Sequence, residues 1–212
     1  MKALTLAASA ALFLAAPALA DGHGDHAKDA MASGFSTGDT VENMTVVDSN
    51  GTSHDLSDFT GKTVVLEWTN HGCPYVKKHY NTDNMQGLQK EATADDVVWL
   101  SVVSSAPGKQ GYVSGEEANT LTTDRGAAPT AVILDAEGVA GKRFAAKTTP
   151  HMYIIDGEGT LRYQGAIDDN PSSNPATVDG ATNYVRVALA EMAAGGDVTT
   201  TDTQPYGCSV KY

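Results

Sequence analysis

The chemistry in this sequence centres on Cys73, which stands between a β-branched run, Thr63 to Trp68, and a helix candidate that opens with Pro74. The thiolate, not the thiol, is the nucleophile, and a free cysteine is mostly protonated at neutral pH. A helix N-terminus offers unpaired N–H groups and the positive end of the dipole, so a cysteine in the cap position is favoured as its anion. Lys77, one turn on, adds positive field, and His71 can supply a hydrogen bond or a charge. Val76 stands where a Cys-x-x-Cys motif would carry its second thiol, so Cys73 cannot close that short disulfide. Two routes remain. A peroxide can oxidise Cys73 to sulfenic acid for a second thiol to resolve. Alternatively, Cys73 can form mixed disulfides that an outside thiol releases. Cys208 is the one other cysteine, in a small-residue tail behind Gly195-Gly196. It can serve as a resolving thiol, form a permanent bridge to Cys73, or leave Cys73 unpaired; the sequence alone leaves all three open.

Around these residues the pattern predicts alternating strands and helices. Val46-Val47-Asp48 and Ser53 to Leu56 flank Asn50-Gly51, a hairpin signal. Thr63 to Trp68 reads as a buried strand and Pro74 to Glu91 as the next helix, with proline suited to the first helical turn. Val97 to Val103 is a second buried strand. A glycine-rich polar loop over 107–123 carries a short helix near Glu116 to Leu121. Thr130 to Leu134 is a strand and Glu137 to Ala146 a short helix. Thr149-Pro150 precedes a strand over His151 to Ile155, and Leu161 to Ala166 closes a hairpin with it. Apolar spacing at Val185, Leu189 and Met192 marks a last amphipathic helix over Ala181 to Ala194. Alternation of the first kind implies parallel crossover units, and the closing hairpin adds an antiparallel edge.

That order, the strand–Cys-Pro–helix junction and the later Thr-Pro together resemble the thioredoxin fold. Three segments narrow the resemblance. Asn70-His71-Gly72-Cys73-Pro74-Tyr75-Val76-Lys77 resembles the Asn-His-Cys-Pro-Tyr-Val-Lys signature of peroxiredoxin-like redoxins, the alkyl hydroperoxide reductase/thiol-specific antioxidant group. Tyr163 to Asp169 resembles that family's Tyr-x-Gly-x-Ile-Asp-Asp, and Gln204 to Lys211 its Gly-Cys-Ser-Ile-Lys ending. Here Gly72 is inserted before the cysteine, and Thr148 stands where the family often has a third one. The resemblance implies an α/β, thioredoxin-like three-layer sandwich: a central mixed β-sheet with flanking helices and an N-terminal hairpin. It also implies thiol oxidoreductase activity on a peroxide or a protein disulfide, recharged by an external thiol reductant. Cys73 would be the nucleophile and Cys208 a resolving thiol, with a cis Pro150 after Thr149 shaping the substrate side. Arg125 would hold the peroxide and favour the thiolate, with Arg143 and Arg162 as competing candidates. No organic cofactor is implied, because no dinucleotide or phosphate-cradling pattern is present.

Residues 1–20 have the make-up of an export signal: Lys2, an apolar run over Ala3 to Ala16, Pro17, then Ala18-Leu19-Ala20 before the expected cleavage. Export to the periplasm or beyond places both cysteines in an oxidising compartment. Residues 21–40 read as a flexible His-containing leader, 41–196 as the folded domain, and 197–212 as a tail carrying Cys208. Cleavage after Ala20 would leave Asp21-Gly22-His23, whose amine, amides and imidazole suit square-planar Cu(II) or Ni(II), with His26 nearby. His71 and Cys73, joined by His151 across the fold, form a second possible copper site. Copper delivery is therefore the alternative function, and a non-catalytic binding module a third. A formal net charge of −12 gives no basic footprint for nucleic acid and argues against anionic membrane surfaces in the mature form.

Overall fold

The computed structural model describes Met1 and residues 34–212; His23 and His26, with the export signal, lie outside the described residues. The elements in chain order are β1 (Thr45–Val47), β2 (Ser53–Asp55), β3 (Val64–Trp68), α1 (Pro74–Tyr80), α2 (Asn84–Ala94), β4 (Val98–Val103), α3 (Gly115–Asp124) and β5 (Ala131–Leu134). They continue with α4 (Val139–Arg143), β6 (Thr148–Thr149), β7 (His151–Ile155), β8 (Leu161–Gly165), α5 (Tyr184–Ala193) and β9 (Cys208–Ser209).

Five strands form the central sheet in the order β5-β4-β3-β7-β8. β3, β4 and β5 run parallel, as helical crossovers require, whereas β7 lies antiparallel to both β3 and β8. The sheet is thus mixed and thioredoxin-like. Every residue of β3, β4 and β7 is buried, which demands cover on both faces. On one face Val65, Trp99, Met152 and Ile154 pack against α1, α2 and α5, and Cys73 belongs to this cluster. On the other, Leu66, Trp68, Leu100, Tyr153 and Ile155 pack against Phe144 after α4 and against the β1–β2 hairpin. Trp68, Phe144 and Tyr153 meet with ring centroids 5.0–5.4 Å apart, within the range in which aromatic pairs stabilise beyond their area.

Two expectations are corrected. The helix expected over Pro74 to Glu91 is two helices, because Asp83 at φ 56° sits in the left-handed region and breaks the chain after Tyr80. The second helix then runs on to Ala94. The leader does not stay free up to residue 40: Phe35 packs edge-on against Phe144 at 5.1 Å, and Gly38 N–H donates to Leu161 O. The tail over 197–212 folds back along the domain. It runs beside β8, where Gln164 N–H donates to Thr201 O and Thr203 N–H to Gln164 O. It then pairs β9 antiparallel to β6, and ends with Tyr212 Oη donating to Ala146 O.

Candidate functional site

The β3–α1 junction is short and heavily tied. Cys73 N–H donates to Asn70 O, Gly72 N–H to Asn70 Oδ1, and Asn70 Nδ2 to Gln110 O. Gln110 Nε2 returns a bond to Gly72 O. Asn70 thus fixes the loop that aims Cys73, a role beyond its place in the signature. The inserted Gly72 gives room for Gln110, whose side chain a Cβ there would meet.

Cys73 is the N-cap of α1, with extended backbone (φ −75°, ψ 126°), and Pro74 occupies the first helical position. Its side chain is wholly buried. What covers it is the tail: Thr149 pairs with Cys208 in the β6–β9 ladder. Cys73 Sγ and Cys208 Sγ stand 2.7 Å apart, both as free thiols. Thr149-Pro150 is a cis peptide, as the resemblance implied, and Thr149 O lies 3.1 Å from Cys73 Sγ.

The electrostatics divide the two sulfurs. Burial pushes the Cys73 thiol up and is the largest single influence. It is outweighed by the Cys208 S–H, then by the Val76 N–H, the Cys208 N–H and the Thr149 hydroxyl, so the net direction is down. The Val76 N–H adds its dipole without closing a capping hydrogen bond. Cys208 goes the other way, to about 11, through burial, its hydrogen bond to Cys73 and the Cys73 charge. The first proton the pair loses therefore comes from Cys73, and Cys208 keeps its own. This predicts the outcome of iodoacetamide trapping across roughly pH 5 to 11. Cys73 should titrate below an ordinary thiol, and Cys208→Ala should raise that midpoint by removing the S–H donor. A midpoint at or above the ordinary value in the native chain contradicts the assignment.

His71 and Arg125 do come together. Both line an open cleft of about 700 Å³ with Val76, Lys77 and Tyr80. Partial burial, then the charges of Arg125 and Lys77, hold His71 below the ordinary histidine value, so its ring is neutral near pH 7. The Arg125 guanidinium lies over the Tyr80 ring, 4.8 Å from its centroid, a favourable cation–π distance. Neither residue hydrogen-bonds Cys73. The competing arginines are engaged elsewhere: Arg143 pairs with Glu42, and Arg162 with Asp156 and Asp197.

His151 is not at the site. It lies on β7 in register with Trp68, on the face opposite Met152 and Cys73. Its Nδ1 meets Lys147 N–H and Tyr153 Oη. Burial pushes it down to about 3, with the Lys147 charge adding to the shift, so it stays a neutral core residue. Among the described residues no three His, Cys, Asp or Glu gather to hold a metal.

Glu67 lies outside the three recognised segments. Its side chain is fully buried under Cys73's face of the sheet and receives Tyr80 Oη, Gln89 Nε2, Trp99 Nε1 and Ser101 Oγ at 2.9–3.0 Å. Burial raises its pKa against those four donors. Alternation along β3 places residue 67 on this inward face beside Val65, which was the available signal.

Comparison with known proteins agrees with the fold. The chain is similar to an uncharacterised conserved protein of Geobacillus kaustophilus (22% identity, TM-score 0.73, covering 85% of this chain and 94% of that one). It is likewise similar to a hypothetical protein of Sinorhizobium meliloti (20% identity, TM-score 0.73, covering 85% and 96%). A candidate thiol:disulfide interchange protein DsbE of Chlorobium tepidum matches less fully (21% identity, TM-score 0.50, covering 61% and 84%). None of the curated proteins matches. The Redoxin family model matches residues 36–183, from the docked N-terminal segment through β8, and with the Cys73 junction inside that span the chain belongs to the Redoxin family.

Proposed function

We propose that this redoxin is an exported thiol peroxidase in which Cys73 attacks a hydroperoxide and Cys208 resolves the product. Membership of the Redoxin family supports thiol oxidoreductase chemistry in general. The observation that carries the finer reading is the 2.7 Å approach of the two sulfurs, with the more acidic one capping a helix. A small oxidant also suits the cover. The backbone edge of Thr148-Thr149, which an incoming peptide would use, is already paired with the chain's own Cys208-Ser209. The reaction needs only the two cysteines, a hydroperoxide and an external thiol to reduce the disulfide. Export rests on the sequence of residues 1–20. Arg125 and His71 are proposed to favour an anionic oxygen in the cleft beside α1.

The test is intact mass of the reduced mature protein after one equivalent of hydrogen peroxide, with and without dimedone. The expected result is rapid loss of two hydrogens, abolished by Cys73→Ser and by Cys208→Ser. A dimedone adduct on Cys73 in the native chain would indicate an external resolving thiol instead. A thiol no faster than free cysteine sinks the peroxidase reading and leaves disulfide exchange.

A further inference from the structure

The tail that carries Cys208 is anchored two residues earlier, at a buried polar cluster that none of the chemistry above uses. Lys78, on the same helix that Cys73 caps, has a fully buried side chain. Its ammonium donates to Asp168 Oδ2 at 3.2 Å and to Asn170 O at 2.9 Å. Asp168, in the loop after β8, accepts on its other oxygen from the Tyr206 hydroxyl. Tyr206 Oη also lies 3.5 Å from Lys78 Nζ and 3.4 Å from His79 Nε2. Its ring stands edge-on to Tyr75 at 5.8 Å. Burying an ammonium and a carboxylate is costly unless both are paired and hydrogen-bonded, so such a group fixes geometry more than it adds stability. Here it joins α1, the loop after β8 and the tail at one point. Between Tyr206 and Cys208 there is one residue, Gly207, pressed against Thr149 O. Fixing the phenol therefore fixes where the Cys208 sulfur can be.

We infer that Tyr206, held by Asp168 and Lys78, is a positioning residue that sets how fast Cys208 captures oxidised Cys73. The inference rests on the proposed peroxidase cycle and deepens it. In the first step the Cys73 thiolate attacks the hydroperoxide, ROOH. An S–O bond forms as the O–O bond breaks, RO⁻ leaves and takes a proton from water, and Cys73 becomes the sulfenic acid. In the second step the Cys208 sulfur displaces the hydroxyl. An S–S bond forms, the Cys208 proton leaves with the hydroxyl as water, and the disulfide holds the oxidising equivalents. An external thiol pair then reduces the disulfide. The first step makes and breaks bonds at the Cys73 sulfur only, with Cys208 acting there as the donor that favours the thiolate. The second needs Cys208 in place, and there a near-attack arrangement raises the effective concentration of the second thiol.

The experiment compares the native chain with Tyr206→Phe and Asp168→Asn. Each reduced protein receives one equivalent of hydrogen peroxide in excess dimedone, and the ratio of Cys73–dimedone adduct to disulfide is read by mass. Tyr206→Phe keeps the ring and its packing but drops the hydroxyl. At least a tenfold rise in that ratio is expected, with the rate of Cys73 oxidation itself within about threefold of native; a merely structural residue would change both or neither. A second reading needs no peroxide: the equilibrium of the Cys73–Cys208 disulfide with reduced and oxidised glutathione. It should shift at least tenfold toward the dithiol in Tyr206→Phe. If both quantities stay at native values in folded Tyr206→Phe, the anchor is overturned, whatever Asp168→Asn does. If Cys73 is inert to peroxide in every variant but the glutathione equilibrium still shifts, the peroxidase reading falls and the anchor stands.

Discussion

Glu67→Ala is expected to lose about 3–5 kcal/mol of unfolding free energy, with a fall in Tm of about 10 °C. Four donors from α1, α2 and β4 converge on this one carboxyl. Tyr80 Oη and Gln89 Nε2 can turn to each other, since they already stand 3.1 Å apart. The Trp99 indole N–H and Ser101 hydroxyl have no such exchange, and each buried polar group left unpaired costs about 1–3 kcal/mol. A cavity adds to that. Glu67→Gln should behave differently. Oε2 takes three of the four donors, so the glutamine carbonyl must sit there and its NH2 at the Oε1 position. That NH2 then faces Tyr80 Oη, which can accept in place of donating. The amide should keep all but about 1.5 kcal/mol. Urea denaturation of the three proteins in reduced form checks both statements, and a cost under about 1 kcal/mol for alanine would show that water or repacking satisfies the orphaned donors.

How much of this was legible beforehand depended on whether the cause was local. Strand β3, the proline-led helix and the Asn50-Gly51 hairpin follow from short-range pattern, and all three stand close to where the sequence put them. The cysteine at a helix cap was legible for the same reason. The break between α1 and α2 was local too, signalled by the small polar run Asn81-Thr82-Asp83-Asn84, but the amphipathic pattern continues across it and hid it. Nearness in sequence to Pro150 does not bring the His151 side chain to Cys73. Strand parity puts residues 151 and 153 on one face and 152 and 154 on the other, and it is Met152 and Ile154 that share a cluster with Cys73. Other features needed contacts between distant segments. Asp168 and Tyr206 sat in two of the recognised segments, yet only the fold shows that Lys78, one residue past the third, meets them. That Cys73 and Cys208 meet, as two of the three open alternatives require, was not legible until the tail's course beside β8 and β6 was known.

That course makes Gly207 the second position where one atom should have a large effect. Gly207 has φ +141°, and a Cβ there would stand 2.1 Å from Thr149 O and 2.7 Å from its carbonyl carbon. Both the conformation and the space are closed to any other residue. The obstacle is backbone, held in the β6–β9 ladder next to the cis Pro150, so it cannot swing aside as a flexible side chain could. The tail must give way in Gly207→Ala, and with it the sulfur that covers Cys73. Since Cys73 is wholly buried in the native arrangement, lifting the tail exposes it. Its alkylation by N-ethylmaleimide at neutral pH should accelerate at least tenfold. At the same time the S–H donor that favours the Cys73 thiolate withdraws, so the pH midpoint of that alkylation should rise. The two effects oppose each other at neutral pH, and measuring the full pH profile separates them: a higher plateau from access, a midpoint moved up from the lost donor. The central sheet and helices do not depend on this contact, so the far-UV spectrum should be unchanged. If Gly207→Ala reacts at the native rate with the native midpoint, the tail does not close the site in solution, and Cys208 then reaches Cys73 only transiently.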